Sequence, residues 1–283
     1  MPELPEVEVL ARHLRPLICG KTIRAVNVCR AKVLRPTSLH TLRRTLRGAK
    51  FIGLSRRGKY LLFQLRTKKD RKLVNLLGHL GMTGRIFPAP RNRRLPKHTA
   101  VALDLGASNL VYDDTRYFGR LTLDTSAVDR LGPEPLGDKF KVKTFAQSLE
   151  RSRQAIKIKL LDQRLVAGIG NIYASEALFR ARISPKLAAN RLTVAQIRRL
   201  RLAIRAVLAE AIELGSTVPL NAGGSKSDGF FYFGREPGAP DYYEERLRVY
   251  DREGQPCPNC GHLIERFTQA ARSTFYCPHC QRV

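Results

Sequence analysis

The first eight residues, MPELPEVE, concentrate groups that could do chemistry. Two prolines, Pro2 and Pro5, stand among three carboxylates, Glu3, Glu6 and Glu8. One interpretation is structural, because proline suits the first turn of a helix and acidic side chains there face the positive end of the helix dipole. The other is chemical, with the chain terminus itself acting as a reagent. The segment alone leaves both interpretations open.

Four of the six cysteines form a second group near the other end of the chain. They are Cys257 with Cys260 and Cys277 with Cys280. Two C-x2-C turns at this separation are typical of a four-thiolate zinc site, because each turn presents two sulfurs on one face. Four protein ligands close the site, so we expect one Zn²⁺ with a structural role. Disulfides are the alternative, and the cytoplasmic location that we expect disfavours them.

The charge balance points to a polyanionic partner. The chain has 51 Lys and Arg against 24 Asp and Glu, a formal net charge of +27. Such an excess repels itself unless a polyanion offsets it, and nucleic acid phosphates do so without regard to sequence. An anionic membrane is the competing partner, but the basic residues are spread along the chain rather than on one amphipathic helix. No apolar stretch is long enough to span a bilayer. We therefore expect a cytoplasmic protein that binds nucleic acid, and nothing in the sequence suggests more than a monomer.

The elements that would carry these groups change character along the chain. Up to about residue 130 the pattern predicts short antiparallel strands, arranged as a β-sandwich with flanking helices. Helices are predicted to about Leu17 and over 38–48, and strands over 22–30, 59–65, 72–80, 99–105 and 109–114. The sequence LGPEPLGD that follows has the composition of a linker.

The second half is predicted to be helical until the glycine-rich segment. Amphipathic stretches within 135–220 indicate four helices, the last from Thr193 to Leu214 with Thr193 and Gln196 as a capping box and Gly215 as its end. Residues 221–245 are predicted to form a long functional loop. Residues 246–283 hold the cysteines, with a β-hairpin between the two pairs. The fold class is therefore α+β with several domains.

Several motifs occur together in a specific order. PELPEVE, GKY after two arginines, HLGMTGR, DDTRYFGR, LGPEPL, GIGNIYASEALFRARISP and STFYCPHC resemble the formamidopyrimidine-DNA glycosylases, also called 8-oxoguanine DNA glycosylases. These share a superfamily with endonuclease VIII. The resemblance covers the chain from Pro2 to Cys280. It implies an N-terminal catalytic domain over 1–130, a helix–two-turn–helix domain over 135–220 and a zinc finger over 246–283.

The resemblance also implies a bifunctional enzyme that removes oxidised purines from duplex DNA and cuts the strand at the abasic site. After loss of the initiator methionine, Pro2 would be the nucleophile, because an α-amino group is partly unprotonated near neutral pH and can form a Schiff base. Glu3 matches the catalytic acid. Glu6 matches a second functional carboxylate, although it also suits the helix dipole. Lys59 matches the lysine of β-elimination. Arg272 matches the finger arginine of δ-elimination, or serves as a phosphate clamp.

Further residues match positions that bind and distort DNA. Met82 and Phe118 would insert between base steps, and Arg116 would pair with the base left opposite the extruded lesion. As residue types, Met and Phe are more often core residues. Asn171 matches a phosphate ligand at a helix N-terminus. His79, His98, Arg151 and Tyr250 match other DNA contacts, and the loop over 221–245 would cover the extruded base.

Two other functions remain open at this point. An endonuclease VIII-like glycosylase would keep the chemistry and act on oxidised pyrimidines, although Met82, Arg116 and Phe118 favour the 8-oxoguanine branch. A non-catalytic zinc-ribbon protein would bind DNA without chemistry.

Overall fold

The computed structural model describes residues 2–216 and 247–282. The loop predicted over 221–245 therefore lies outside the described residues. The chain divides into two compact units. One extends to Arg130, and the other contains Leu131–Leu214 together with the C-terminal segment.

The first unit is built from antiparallel strands with helices beside them. Its helices are α1 (Leu4–Ile18), α2 (Leu39–Leu46) and α3 (Ser126–Asp129). Its strands are β1 (Ala25–Val28), β2 (Lys50–Arg57), β3 (Tyr60–Arg66), β4 (Leu73–His79), β5 (Arg85–Pro90), β6 (Thr99–Asp104), β7 (Ser108–Asp113) and β8 (Arg120–Thr122). They form two four-stranded antiparallel sheets, in the orders β1-β6-β7-β5 and β2-β3-β4-β8. Both sheets and helices α1 and α2 contribute to one hydrophobic core, which confirms the predicted sandwich.

The sequence patterns did not predict three of the strands, and each omission has an identifiable reason. Strand β5 contains Pro88 and Pro90, which are tolerated because β5 lies at the edge of its sheet. Strand β2 carries a register shift between Phe51 and Gly53, so its alternation of buried and exposed residues is broken. Strand β8 is only three residues long.

The second unit contains the predicted helices and the zinc-ribbon hairpin. Its elements are α4 (Val142–Leu149), α5 (Ile156–Leu160), α6 (Asn171–Arg180), α7 (Val194–Ser216), β9 (Glu265–Gln269) and β10 (Arg272–Tyr276). The predicted capping box of α7 is present: the Gln196 N–H donates to Thr193 Oγ1 and the Thr193 N–H donates to Gln196 Oε1. The prediction that Gly215 ends this helix is wrong, since α7 includes Ser216.

The segment with linker composition, 131–138, is hydrogen-bonded within the second unit. The Gly132 N–H donates to the Gln163 carbonyl, and Arg205 on α7 donates to the carbonyls of Pro135 and Gly137. These contacts hold the segment against the helices, so its prolines and glycines shape a packed turn.

The hairpin of the C-terminal ribbon turns at Ala270 and Ala271, which both have positive φ, of 48° and 58°. The ribbon is anchored at its end by Gln281, whose side chain donates to the Ile183 carbonyl and accepts the N–H of Cys277. None of the helices among residues 2–216 and 247–282 combines the length and apolar character needed to cross a membrane.

Candidate functional site

The beginning of the chain places two carboxylates in the protein interior. Glu3 and Glu6 are 2% and 3% exposed, and Pro2 is buried with them. Glu6 Oε2 accepts the Glu3 backbone N–H at 2.7 Å, at the start of α1. Pro5 occupies the first turn of the helix. Pro5 therefore meets the structural requirement of the helix start, and Pro2 stands before the helix.

Lys59 lies in the tight turn between β2 and β3, and only 7% of it is exposed. The turn begins at Gly58, whose φ of +56° favours glycine. Arg56 Nη1 donates to the Gly58 carbonyl at 3.0 Å, and Arg56 Nε donates to Glu8 Oε2 at 2.9 Å. Helix α1 and the turn that carries Lys59 are thus joined through one arginine.

His79 ends strand β4, where its ring lies 4.8 Å from that of Tyr60 between the ring centres. Burial, followed by the positive charges of Lys59 and Arg120, lowers the pKa of His79 to about 4. Its Nδ1 accepts the Gly81 backbone N–H at 3.2 Å. A neutral ring in this arrangement carries its proton on Nε2, so His79 can donate one hydrogen bond at neutral pH.

The three residues expected to enter DNA lie on two neighbouring loops. Met82 is 44% exposed and Phe118 is 57% exposed, so neither is a core residue. Arg116 is exposed as well, and its Nη1 donates to Met82 Sδ at 3.5 Å. The structure therefore brings the trio together on one surface, with its apolar side chains in solvent.

Asp114 holds the two loops in place. It is fully buried, and its oxygens accept hydrogen bonds from Thr83 Oγ1 at 2.7 Å, from the Arg116 N–H at 3.2 Å and from the Gly119 N–H at 2.9 Å. Its own N–H donates to the carbonyl of His98, whose side chain is half-buried. A single carboxylate thus links the Thr83 hydroxyl, next to Met82, to the backbone of the loop that carries Arg116 and Phe118.

In the second unit, the GIGNIY motif forms the turn before α6. Gln163 spans this turn: its side chain donates to the Ile169 carbonyl at 2.8 Å and accepts the Gly168 N–H at 2.8 Å. Gly168 has a φ of +88°. Helix α6 then begins at Asn171, with Gly170 as its N-cap. The positive end of the helix is thereby set in a rigid turn, an arrangement suited to an anion.

Asn171 and the finger arginine Arg272 are brought close together by the residue that follows Arg272. The Ser273 carbonyl accepts Asn171 Nδ2 at 2.9 Å and Lys157 Nζ at 2.8 Å. Lys157 is fully buried and also donates to Thr274 Oγ1 at 2.7 Å. Arg272 itself is exposed. The residue next to Arg272 is therefore hydrogen-bonded to the first residue of α6, where the helix dipole favours an anion.

Tyr250 and Arg151 have different surroundings. The N–H groups of Arg248, Val249 and Tyr250 all donate to the buried carboxylate of Glu176, which fixes the chain as it enters the ribbon. Burial raises the pKa of Glu176, although these three hydrogen bonds oppose the shift. The Tyr250 ring packs edge-on against a ribbon phenylalanine. Arg151 is exposed just after α4.

The four cysteines converge in the ribbon. Sulfur–sulfur distances are 3.4 Å between Cys280 and Cys260, 3.5 Å between Cys260 and Cys277, and 3.9 Å between Cys257 and Cys280. A tetrahedron with Zn–S bonds of about 2.3 Å has edges of about 3.8 Å, so the cluster fits one structural zinc ion. Burial raises the pKa of Cys260, but hydrogen bonds from the His262 backbone and the neighbouring thiols outweigh it and lower the pKa to about 6. This thiolate is the form that binds metal.

Several supporting residues carry no sequence signal. Arg56, Asp114, Lys157, Gln163 and Glu176 each join segments that are distant in the sequence or fix an irregular turn. Four of them are marked by a charge that is largely buried, and Gln163 by the hydrogen bonds of its amide; neither burial nor such partners are visible in one sequence.

Comparison with known proteins covers nearly the whole chain. Residues 1–121 match the formamidopyrimidine-DNA glycosylase N-terminal domain, 131–220 match the H2TH domain of the same glycosylase, and 254–283 match a zinc finger found in FPG and IleRS. A formamidopyrimidine-DNA glycosylase of Thermus thermophilus is 44% identical over 99% of this chain and 98% of its own length.

Solved structures show the same similarity. The Lactococcus lactis enzyme, as a mutant in complex with Fapy-dG-containing DNA, has a TM-score of 0.85 and 33% identity over 100% of both chains. The Lactococcus lactis enzyme bound non-covalently to DNA with an AP site has a TM-score of 0.84 and 32% identity, over 99% of this chain and 100% of its own.

Proposed function

The chain belongs to the formamidopyrimidine-DNA glycosylase family, and from this membership we propose that it excises oxidised purines from duplex DNA and then cleaves the strand at the resulting abasic site. The bases removed are formamidopyrimidines and 8-oxoguanine, and their removal is a DNA repair reaction. The observation that carries the proposal is the burial of Glu3 and Glu6 directly beside Pro2. Buried carboxylates are costly to keep, and their burial at a chain terminus suits proton transfer.

The first step uses the Pro2 amine, once Met1 is removed. The nitrogen lone pair attacks C1′ of the damaged nucleotide, the bond from C1′ to the base breaks, and the base leaves with the proton that the amine loses. The sugar ring opens to give an iminium between Pro2 and C1′. Glu3 acts as the acid that supplies a proton to the ring oxygen as the ring opens. A secondary amine yields a cationic iminium directly, and this cation withdraws electrons from C2′.

The iminium then permits strand cleavage. A base removes a proton from C2′, the electrons form a double bond, and the 3′-phosphate leaves. A second elimination expels the 5′-phosphate, and hydrolysis frees Pro2. We assign the first elimination to Lys59, whose buried place in the β2–β3 turn supports a role beyond surface charge. Arg272, exposed beside the α6 N-terminus, binds the phosphate that leaves in the second.

DNA distortion is assigned to the exposed trio. Met82 and Phe118 would fill the space vacated by the extruded nucleotide, and Arg116 would bind the orphaned base. Asn171 would bind a backbone phosphate. His79, His98, Arg151 and Tyr250 would add contacts along the strand. The four cysteines Cys257, Cys260, Cys277 and Cys280 would hold the zinc ion, whose role is to shape the finger.

Borohydride trapping tests the proposal. The protein without Met1 is incubated with duplexes that contain 8-oxoguanine opposite cytosine, an abasic site or an oxidised pyrimidine, then reduced and mapped by peptide mass spectrometry. We expect an adduct on Pro2 with the first two duplexes. The same chain with Met1 retained, which blocks the amine, is the matched control. An adduct on Lys59 alone, or none on the abasic duplex, would overturn the mechanism. Efficient trapping only on the pyrimidine duplex would overturn the substrate class.

A further inference from the structure

Two histidines lie on the ribbon outside the four-sulfur cluster. His262 follows Cys260 by two residues, and His279 stands between Cys277 and Cys280. Both are exposed, and their rings stack with 4.2 Å between centres and 11° between planes. Within residues 2–216 and 247–282, the ring nitrogens of these two histidines make no hydrogen bond and no ion pair. Two metal-binding side chains therefore face solvent together with their ligand atoms unused.

Cys260 completes a set of three ligand atoms. Its Sγ and a ring nitrogen from each histidine all lie within 4.8 Å of one another. A tetrahedral zinc ion with bonds of about 2.0–2.3 Å requires ligand atoms about 3.3–3.6 Å apart. The difference is at most about 1.2–1.5 Å. Binding one ion also requires the two near-parallel rings to turn out of their stack so that both nitrogen lone pairs point at the ion, which exposed imidazoles can do by rotating about their side-chain torsions.

We propose that His262, His279 and the Cys260 thiolate bind a second divalent transition-metal ion, with Cys260 bridging it to the structural zinc. A thiolate keeps lone pairs after it binds one zinc, so it can donate to a second. One sulfur and two imidazoles suit zinc and cobalt, whereas magnesium and calcium prefer oxygen. The structural site uses four protein ligands and is closed. The second site uses three and keeps one position for water or an anionic oxygen.

The location gives the second ion an electrostatic consequence. It would add two positive charges at the end of the ribbon that continues from the finger hairpin. The site is independent of the glycosylase reaction, because none of its three ligands belongs to the groups assigned to chemistry. Loss of the second ion therefore leaves the proposed function intact, and failure of the proposed function leaves the metal site testable.

Metal counting tests the site. The full chain is equilibrated with Zn²⁺, freed of excess ion by desalting, and analysed for zinc per chain. We expect two ions in the native chain and one in the double variant His262→Gln/His279→Gln. The retained ion shows that the variant still folds its four-sulfur cluster. The control variant His40→Gln, which removes an exposed histidine on α2, should keep two ions. A native chain that saturates at one ion would overturn the proposal.

Cobalt identifies the sulfur ligand. The protein with one structural zinc is titrated with Co²⁺ alone, so that cobalt reports the second site. We expect a sulfur-to-cobalt charge-transfer band in the near ultraviolet, which disappears in the double variant and persists in His40→Gln. Cobalt that binds without this band, or with the band unchanged in the double variant, would contradict the bridging thiolate and overturn the site.

Discussion

Arg56 Nε lies 2.9 Å from Glu8 Oε2, and this ion pair fastens helix α1 to the strand that leads into Lys59. The side chain of Arg56 is only 8% exposed, so the pair is shielded from water. Sequence patterns assign no role to Glu8, although it belongs to the opening motif. In the structure it connects the start of the chain, with Pro2, to the turn of Lys59.

Glu8→Gln should destabilise the protein by about 1–3 kcal/mol, because it removes a charge-assisted hydrogen bond to the buried Arg56. Burial raises the pKa of Glu8, but the hydrogen bonds from Arg12 and Arg56 outweigh it and hold the pKa below 4.5. The stabilisation is therefore complete above about pH 4.5 and is lost as the pH falls through the folded-state pKa. Urea unfolding of both proteins from pH 3 to 7 measures the difference. Glu210→Gln, which breaks the exposed pair with Arg180, is the control and should change stability by less than about 1 kcal/mol.

His79 should stay neutral throughout the range in which most enzymes work. Its pKa of about 4 lies below that of an unfolded-chain histidine, so the unfolded state binds more protons between about pH 4 and 6.5. The stability that this residue contributes is present above about pH 6.5 and falls as the pH drops toward 4. Imidazole chemical shifts should give a midpoint near 4 and a proton on Nε2. His79→Gln identifies the resonance, and a midpoint above 6 would contradict the assigned environment.

Asp114→Asn should loosen the exposed trio while leaving its three side chains unchanged. The amide NH₂ cannot accept, so either the Thr83 and Arg116 donors or the Gly119 donor lose their acceptor. We expect a loss of about 2–3 kcal/mol in stability and at least about tenfold weaker binding to a duplex with a stable abasic analogue.

Fluorescence anisotropy measures that binding. Asp124→Asn is the matched control, because among the described residues the Asp124 carboxylate accepts hydrogen bonds from Ser126 and from no member of the trio. Equal affinities for Asp114→Asn and the native chain would show that the loops hold their shape without this carboxylate.

Substitutions of Lys157 and of Arg272 should weaken DNA binding in ways that the salt dependence of the affinity distinguishes. Lys157 is fully buried on Ser273 and Thr274, so it contacts no phosphate and acts by positioning the finger. Lys157→Met should lower affinity by about tenfold and leave the slope of log affinity against log salt unchanged. Arg272→Ala should reduce that slope by about 1, as expected for one lost phosphate contact. Titrations at several salt concentrations measure both. A reduced slope in Lys157→Met would contradict the positioning role.

The elements that the sequence predicted are those whose pattern is strong within a short stretch of chain. Helix α1, strands β3 and β4 and the capping box at Thr193 were predictable because their period or cap chemistry lies within a few residues. Strands β2 and β5 were not, because a bulge and edge prolines disguise them. The same division holds in the site. The cysteine cluster follows from spacing, whereas the roles of Pro2 and Lys59 rest on motifs and stay predictions. Asp114 and Lys157 act through partners distant in sequence, which one sequence does not reveal.

Ala270 and Ala271, at the tip of the finger, place an unfavourable backbone conformation at the turn of the hairpin. An L-residue with a side chain pays about 1–2 kcal/mol for a left-handed conformation, and here two stand in succession. A free peptide of this sequence would relax away from such a turn. Its shape must be imposed from outside the tip, by the metal at one end and by the grip of Lys157 and Asn171 on Ser273. An Asn-Gly pair at the two positions would remove this cost and make the hairpin less dependent on contacts outside its tip.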